Sequence, residues 1–185
     1  MKKLIVCALI ALVAITINAQ GIERLHVSEK TGFVTFSRVV ENPTKNKSQL
    51  FSDIKEWIAV TFGMGRVVTD LADEETGKYI LKPIAMLKMM PGVEVECRYM
   101  LVISIKDGKA RIVADHFNCE HSYVDGQLAG GGWETPEKWI ADYESRYKLN
   151  KVNVNRISDL LADEIEAILQ SFENAIKAVA HEEDW

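Results

Sequence analysis

The sequence predicts an α+β fold: an antiparallel sheet with helices packed on one face, in the order strand, helix, strands, helices. Three observations predict it. Residues 93–119 alternate apolar and polar side chains around an Asp-Gly pair, a pattern typical of a β-hairpin. Residues 45–62 and 155–181 instead repeat apolar side chains at helical spacing. A run of strands followed by a run of helices favours helices that cover one sheet face.

The chain after its first thirty residues predicts a strand and then a helix. Residues 32–41 are rich in β-branched and aromatic side chains, which favour a strand. Asn42, Pro43 and Thr44 break this strand. Residues 45–62 follow with apolar side chains at i, i+3 and i+4, and Gly63 is a natural C-cap for the helix that this spacing predicts.

Two more strands are expected before the central hairpin. Residues 66–71 favour a strand, residues 73–78 have the composition of a turn, and residues 79–90 resume extended structure. Pro83 lies within the second of these strands and has no backbone N–H to donate. We therefore expect this strand to be an edge strand or to be interrupted at Pro83.

The central hairpin predicts its own register. Asp107-Gly108 is predicted to be the turn. Both central residues of a type I′ turn need positive φ, and the Asp-Gly pair is one of those preferred there. With those two loop residues, Lys106 faces Lys109. The pairs continue outward as Ile103–Ile112, Leu101–Ala114, Tyr99–His116 and Cys97–Asn118. On a regular return strand, His116 then lies on the core-side face and Cys119 on the opposite one.

The C-terminal part of the chain predicts helices. Thr135 is an N-cap and Pro136 fits the first helical position, so a helix begins there, and the last helix covers residues 155–181. The helical segment as a whole spans residues 135–181. Size and the lack of a linker predict one domain over residues 21–185.

The N-terminus predicts export. Residues 1–20 combine Lys2 and Lys3 with an apolar run that is too short to span a membrane, and Ala19 fits the position before a cleavage site. The segment is therefore predicted to be a signal peptide. The mature protein would reach the periplasm or the outside of the cell.

Charge excludes one class of partner. The formal net charge is −5, and it becomes −7 when Lys2 and Lys3 leave with the leader. The remaining basic residues are interspersed with acids and form no run with interleaved aromatics. An acidic chain without a basic patch is repelled by phosphate backbones, so we predict no nucleic-acid partner. No second long apolar run follows, so we also predict no transmembrane segment in the mature chain.

The stretch DHFNCEHSY, residues 115–123, raises the question of a metal site because His116, Cys119 and His121 fall within six positions. A regular strand cannot present His116 and Cys119 to one ion, since successive side chains alternate faces. Only Cys119 and His121 would share a face, whereas zinc takes three or four protein ligands. We therefore predict no metal and no cofactor.

The two cysteines outside the leader leave two alternatives. Export to an oxidising compartment favours a Cys97–Cys119 disulfide. The regular register opposes it, because it places the two cysteines on opposite faces of neighbouring strands. A bridge would need a β-bulge between Phe117 and Cys119. We expect two free thiols.

Aromatic residues after the hairpin are candidates for ligand binding. Trp133 follows three glycines, and Trp139, Tyr143 and Tyr147 recur along one helix face. Such a stripe can stack on sugar rings, or it can pack into the core. The ligand-binding candidates are Trp133, Trp139 and Tyr143.

Two segments, KSQLFSDIKEWIAVTF (residues 47–62) and DEETGKYIL (residues 73–81), carry a family resemblance. A strand ending in Val-Val-Glu precedes a Leu-Phe helix with a Trp, and a Gly-Lys turn precedes an apolar strand. Residues 34–117 resemble the family called domain of unknown function 4468, secreted proteins mainly of Bacteroidetes. The resemblance implies a TATA-binding-protein-like (TBP-like) fold. It implies no activity or catalytic residues, and a fold name does not imply DNA binding.

The preferred function is therefore an exported, non-catalytic domain that binds an envelope protein, a glycan or another small ligand. One alternative is an envelope hydrolase that uses His116 or a cysteine. It would show a pocket with convergent polar groups and shifted pKa values. The other is a structural assembly subunit with the last helix as its interface, which would show a broad exposed apolar patch on that helix.

Overall fold

The structure is a computed structural model that describes residues 21–63, 67–91, 93–120, 132–145 and 148–178. The predicted signal peptide lies outside the described residues. So do His121, Tyr147 and the end of the predicted last helix.

The elements follow the predicted order. Within the described ranges they are β1 (Phe36–Glu41), α1 (Lys47–Phe62), β2 (Val67–Asp73), β3 (Lys78–Met90), β4 (Val93–Lys106), β5 (Lys109–Glu120), β6 (Trp133–Glu134), α2 (Pro136–Asp142) and α3 (Lys148–Lys177). Two short 3-10 turns, Gly21–Arg24 and Tyr143–Ser145, precede β1 and follow α2. The α+β class is confirmed.

The strands form one antiparallel sheet in the order β1-β5-β4-β3-β2, and the short β6 pairs with β5. The first strand therefore pairs with the fifth, and the hairpin strands β4 and β5 lie at the centre. The helices α1 and α3 pack against each other and against the same face of this sheet. The helix-covered face is the one that the sequence predicts.

Alternating burial along the strands shows which face holds the core. In β3 the inward residues are buried and their neighbours point outward to solvent. The buried set includes Tyr79, Leu81, Leu87, Met89, Leu101, Ile103 and Ile112 from the sheet, and Leu50, Ile54, Leu161, Ile165 and Phe172 from the helices. Removing this apolar surface from water is the main favourable term in folding. We call the opposite side of the sheet, which carries Lys82, Ile84, Arg98 and Met100, the open face.

Two helix ends, at Gly63 and Thr135, form as the local sequence predicts. Asn46 and Gln49 form a capping box at the start of α1, and Gly63 is its C-cap. Thr135 is the N-cap of α2, where it accepts a hydrogen bond from the Lys138 backbone N–H. The last helix differs from its prediction, because α3 begins at Lys148 and not at residue 155. The apolar stripe begins after the first turns of α3, so the stripe alone placed the start too late.

Pro83 lies where the pairing of β3 changes. β2 begins at Val67, which pairs with Pro83, so residues 84–90 of β3 pair only with β4 among the described strands. The first half of β3 is therefore an interior strand, against the edge-strand expectation, and the second half is an edge strand among the described strands. The β3–β4 pairs also stop at Leu81 and resume at Ile84, which fits the expected interruption.

None of the described helices combines the length and the apolar character that crossing a membrane requires.

Candidate binding site at a β-bulge

The return strand of the hairpin contains a bulge. The predicted register holds from Lys106–Lys109 through Met100–Asp115, and then shifts so that Arg98 pairs with Asn118. The extra residue falls at His116, whose φ of 54° is the one positive value among the described non-glycine residues. A side chain with a Cβ rarely adopts this left-handed conformation. Two predicted pairs, Tyr99–His116 and Cys97–Asn118, are therefore wrong.

The bulge brings the two cysteines together. Cys97 pairs with Cys119, their Cα atoms lie 4.0 Å apart, and the two sulfurs form a disulfide. The expectation of free thiols is wrong because it assumed a regular strand. The bulge that a bridge requires is present, but at His116 and not between Phe117 and Cys119. A disulfide sulfur is not a thiolate nucleophile, so the hydrolase alternative retains only His116.

The bulge also changes which face His116 occupies. The prediction placed it on the core side, whereas the structure leaves 47% of its side chain exposed and buries the next residue, Phe117. The Phe117 ring stacks on Tyr99 at 5.6 Å between centroids and meets Phe36 edge-on at 5.8 Å. Placing Phe117 in the core is what moves His116 out of it.

A pocket opens beside the bulge. Tyr99 has no ladder partner on β3 or on β5 among the described residues, because it lies between Pro83 and the bulge. A cavity of about 450 Å³ lies at this point of the sheet. Its lining residues are Lys82, Pro83, Ile84, Arg98, Tyr99, Met100 and His116. A pocket of this size is in the range of small-ligand sites.

Two positively charged side chains, those of Lys82 and Arg98, lie on the rim of the pocket. Lys82 Nζ lies 2.5 Å from Asp70 Oδ2, and Arg98 Nε donates to Glu96 Oε1 at 2.7 Å. The Arg98 guanidinium also lies 4.3 Å from the centre of the Trp133 ring, a cation–π contact. Within the described part of the chain, the terminal amino groups of Arg98 make no hydrogen bond.

His116 is held by its neighbours. Its Nδ1 lies 2.8 Å from Asp115 Oδ1, and its ring is 4.1 Å from the ring of Phe33 between centroids. Asp115 is largely buried, so its carboxylate favours a proton on Nδ1. In that tautomer Nε2 is an acceptor. The arrangement orients the imidazole at the edge of the pocket.

One residue at the pocket, Tyr99, has a shifted pKa, and its side chain points into the core. Burial, and to a smaller extent the charge of Glu164, raises the pKa of Tyr99. A raised pKa keeps the phenol protonated at neutral pH, so it is not a base there. The cysteines are closed in the disulfide. The residues that line the pocket therefore offer hydrogen-bond donors, one acceptor at His116 Nε2 and apolar surface, but no activated nucleophile.

The three aromatic residues that the sequence predicts as ligand-binding candidates lie in three different environments. Trp133 lies against Arg98 with 40% of its surface exposed. Trp139 is 3% exposed and packs in the core. At this position the aromatic stripe is therefore part of the core and is not a surface for stacking on sugar rings. Tyr143 is half-buried, and its hydroxyl accepts a hydrogen bond from Asn155 Nδ2 at 2.7 Å. Of the three, only Trp133 contacts a residue of the pocket rim.

The predicted absence of a metal stays a prediction. Among the described residues, no three His, Cys, Asp or Glu side chains are grouped closely enough to hold an ion. His121 lies outside those residues.

Several residues of the site carry no local signal in the sequence. Lys82, Ile84 and Met100 look like ordinary solvent-facing strand positions. Pro83 is the signal in the sequence that points to the pocket, because a proline within a strand predicts a break in strand pairing. No sequence motif predicts the bulge at His116.

The fold and the site define an α+β domain with a helix-covered sheet face and a pocket on the open face. Residues 36–120 match the family described as "Domain of unknown function (DUF4468) with TBP-like fold". The resemblance stated from the sequence is therefore confirmed over these residues, and the TBP-like fold with it.

Two crystal structures are similar over most of their length. One is a TBP-like protein from Parabacteroides distasonis, at 17% identity and a TM-score of 0.61, covering 80% of this chain and 97% of that one. The other is a DUF4468 family protein from Bacteroides ovatus, at 14% identity and a TM-score of 0.62, covering 86% of this chain and 94% of that one. Identities this low show the fold alone. The search of curated proteins found no match.

Proposed function

We propose that this chain is an exported, non-catalytic domain that binds a small ligand or partner in the cell envelope through the pocket on its open face. The observation that carries the proposal is the failure of regular pairing on both sides of Tyr99, with His116 held in a left-handed conformation beside the resulting cavity. Residues kept in sparsely populated backbone regions cluster at functional sites.

The distribution of exposed apolar side chains supports the open face as the binding surface. Ile84, Met86 and Met90 are exposed at alternate positions of β3, and Leu71 is exposed on the neighbouring strand. Exposed apolar patches rimmed by polar residues mark interaction sites. Among the described side chains of α3, by contrast, Val152 is the one large apolar residue that is exposed. The assembly alternative, with the last helix as interface, has less support.

Two features support export. The leader has the composition of a signal peptide. The disulfide joins the two cysteines that lie outside that leader, and such bonds persist in oxidising compartments. The periplasm or the outside of the cell is therefore the proposed location.

Binding can be tested on the mature protein by methyl NMR with four probes: decanoate, decanol, decylamine and maltohexaose. We expect saturable shifts of the Met100 and Ile84 methyl groups with at least one probe. Ile84→Asp should abolish them, because it places a charge on the pocket wall. The matched control is Val60→Asp on α1, which replaces an exposed valine far from the pocket. No saturable shift with any probe, or shifts confined to other surfaces, would contradict the proposal.

One observation favours the hydrolase as a second candidate. The Asp115–His116 contact resembles a base and the carboxylate that orients it. Hydrolysis of a decanoyl nitrophenyl ester tests this candidate. The binding proposal expects the buffer rate, whereas turnover that is lost in His116→Gln and kept in His26→Gln would establish the hydrolase instead.

A further inference from the structure

Building on the proposed binding function, we infer that the pocket takes an amphipathic carboxylate: an aliphatic chain that ends in one carboxylate group. Charged side chains form the rim of the pocket and apolar side chains form its floor.

The rim presents hydrogen-bond donors in excess. Lysine and arginine side chains donate and never accept. Lys82 has one acceptor, Asp70, for its three N–H groups, and Arg98 uses Nε on Glu96 while its terminal amino groups stay free within the described part of the chain. A ligand that fits this rim brings acceptor atoms.

The geometry of Arg98 favours a carboxylate among acceptors. A guanidinium is a planar fork whose N–H groups match the two oxygens of a carboxylate. The Trp133 ring lies against the Arg98 guanidinium, which limits its movement. The fork is therefore oriented before the ligand arrives, and this reduces the entropy lost on binding.

The floor of the pocket favours an apolar body. Ile84 and Met100 rise from neighbouring strands, and Pro83 and Tyr99 close the space between them. Ile84 is 37% exposed, so covering it removes apolar surface from water. Methionine adapts to ligands of irregular shape. The exposed row continues to Met86, which leaves room for a chain longer than the pocket.

Local charge decides between an aliphatic carboxylate and an inorganic anion. Asp70 and Glu96 offset the charges of Lys82 and Arg98, and the whole chain has a formal charge of −5. The site is therefore no strong attractor for a bare anion. Binding must come from apolar contact together with two or more directed hydrogen bonds, which a carboxylate on an aliphatic chain provides.

The test compares three probes of equal chain length by calorimetry: decanoate and decyltrimethylammonium, each below its micelle concentration, and decanol below its solubility limit. We expect decanoate to bind the mature, disulfide-bonded protein at least tenfold more tightly than either of the other two. Arg98→Gln should reduce decanoate affinity to that of decanol. Arg98→Lys, which keeps the charge and loses the fork, should give an intermediate value.

Arg111→Gln is the matched control. Arg111 is an exposed arginine on the open face of β5 but does not line the pocket, so its loss should leave decanoate affinity unchanged. Thermal unfolding checks that each variant is folded. Equal binding of decanoate and decanol, or decanoate binding that is insensitive to Arg98→Gln, would overturn the ligand class while the binding proposal stands. No binding of any probe at the pocket would overturn both.

Discussion

His116 adopts a backbone conformation that a β-strand normally excludes. A left-handed residue with a Cβ costs about 1–2 kcal/mol relative to the extended region. Asp115 and Phe33 hold the imidazole, and the burial of Phe117 and the pairing of Cys97 with Cys119 hold the backbone around it. The surrounding contacts therefore impose the conformation on a residue that would otherwise avoid it.

A pair of substitutions at position 116 tests this conformation. His116→Val and His116→Asn both lose the imidazole contacts, but asparagine tolerates the left-handed region and a β-branched residue does not. We expect the free energy of unfolding of the valine variant to be lower than that of the asparagine variant by about 1–2 kcal/mol. Urea denaturation measures the difference. Equal stability, or a more stable valine variant, would mean that β5 is a regular strand at this point.

At the scale of elements, the local sequence of the β4–β5 hairpin specifies its turn. It does not specify the register of the outer pairs. Asp107-Gly108 is the two-residue loop and sets the pairs up to Met100–Asp115. The type I′ prediction for this turn is wrong, because Gly108 has a positive φ and Asp107 does not. Beyond them, the extra residue in β5 realigns the strand so that Cys97 meets Cys119. The bulge, the disulfide and the pocket are thus parts of one local arrangement.

Reduction of the disulfide should lower the stability of this hairpin and of the domain. The bond closes a loop with a sequence separation of 22 residues. Loop-closure entropy gives a stabilisation of about 3 kcal/mol for a loop of this length. Urea denaturation with and without reductant measures it. The control is the double variant Cys97→Ala, Cys119→Ala, on which the reductant should have no effect. Titration of two thiols in denatured, unreduced protein would contradict the bond itself.

At the scale of the whole molecule, α3 connects distant parts of the chain. Arg38 of β1 forms ion pairs with Glu166 at 2.9 Å and Glu173 at 3.1 Å, and Arg24 of the first 3-10 turn pairs with Asp163 at 2.7 Å. These pairs are partly exposed, and pairs of this kind are worth up to about 1 kcal/mol each. The apolar face of α3 contributes more, because it covers the sheet.

The raised pKa of the buried Tyr79 side chain predicts how the stability of the whole molecule changes at alkaline pH. Burial, and to a smaller extent Glu74, raises the pKa of Tyr79 to about 12 from 10.0. Between these values the unfolded chain has lost this proton and the folded chain retains it, so unfolding is favoured as pH rises. The stability that Tyr79 contributes is fully present below pH 10 and is lost as pH rises through the folded pKa.

Urea denaturation between pH 8 and about 11.5 measures this dependence. We expect the free energy of unfolding to fall above about pH 10 and to fall less steeply in Tyr79→Phe. At pH 8 that variant should be less stable by about 1 kcal/mol, because the Tyr79 hydroxyl donates to the Phe51 carbonyl at 3.2 Å. An identical alkaline slope in both proteins would show that the Tyr79 phenol does not titrate differently on unfolding.

The sequence by itself determined the order of the elements, the helix caps at Gly63 and Thr135, the Asp107-Gly108 turn and the family resemblance, because each depends on residues close together in the chain. The tertiary structure decided the position of the bulge, the face of His116, the disulfide and the pocket beside Tyr99. Adding one residue to β5 reverses the face of every later side chain, and the contacts that select it come from other elements. Phe117 enters the core against Tyr99 and Phe36, Cys119 meets Cys97, and no local pattern records either contact.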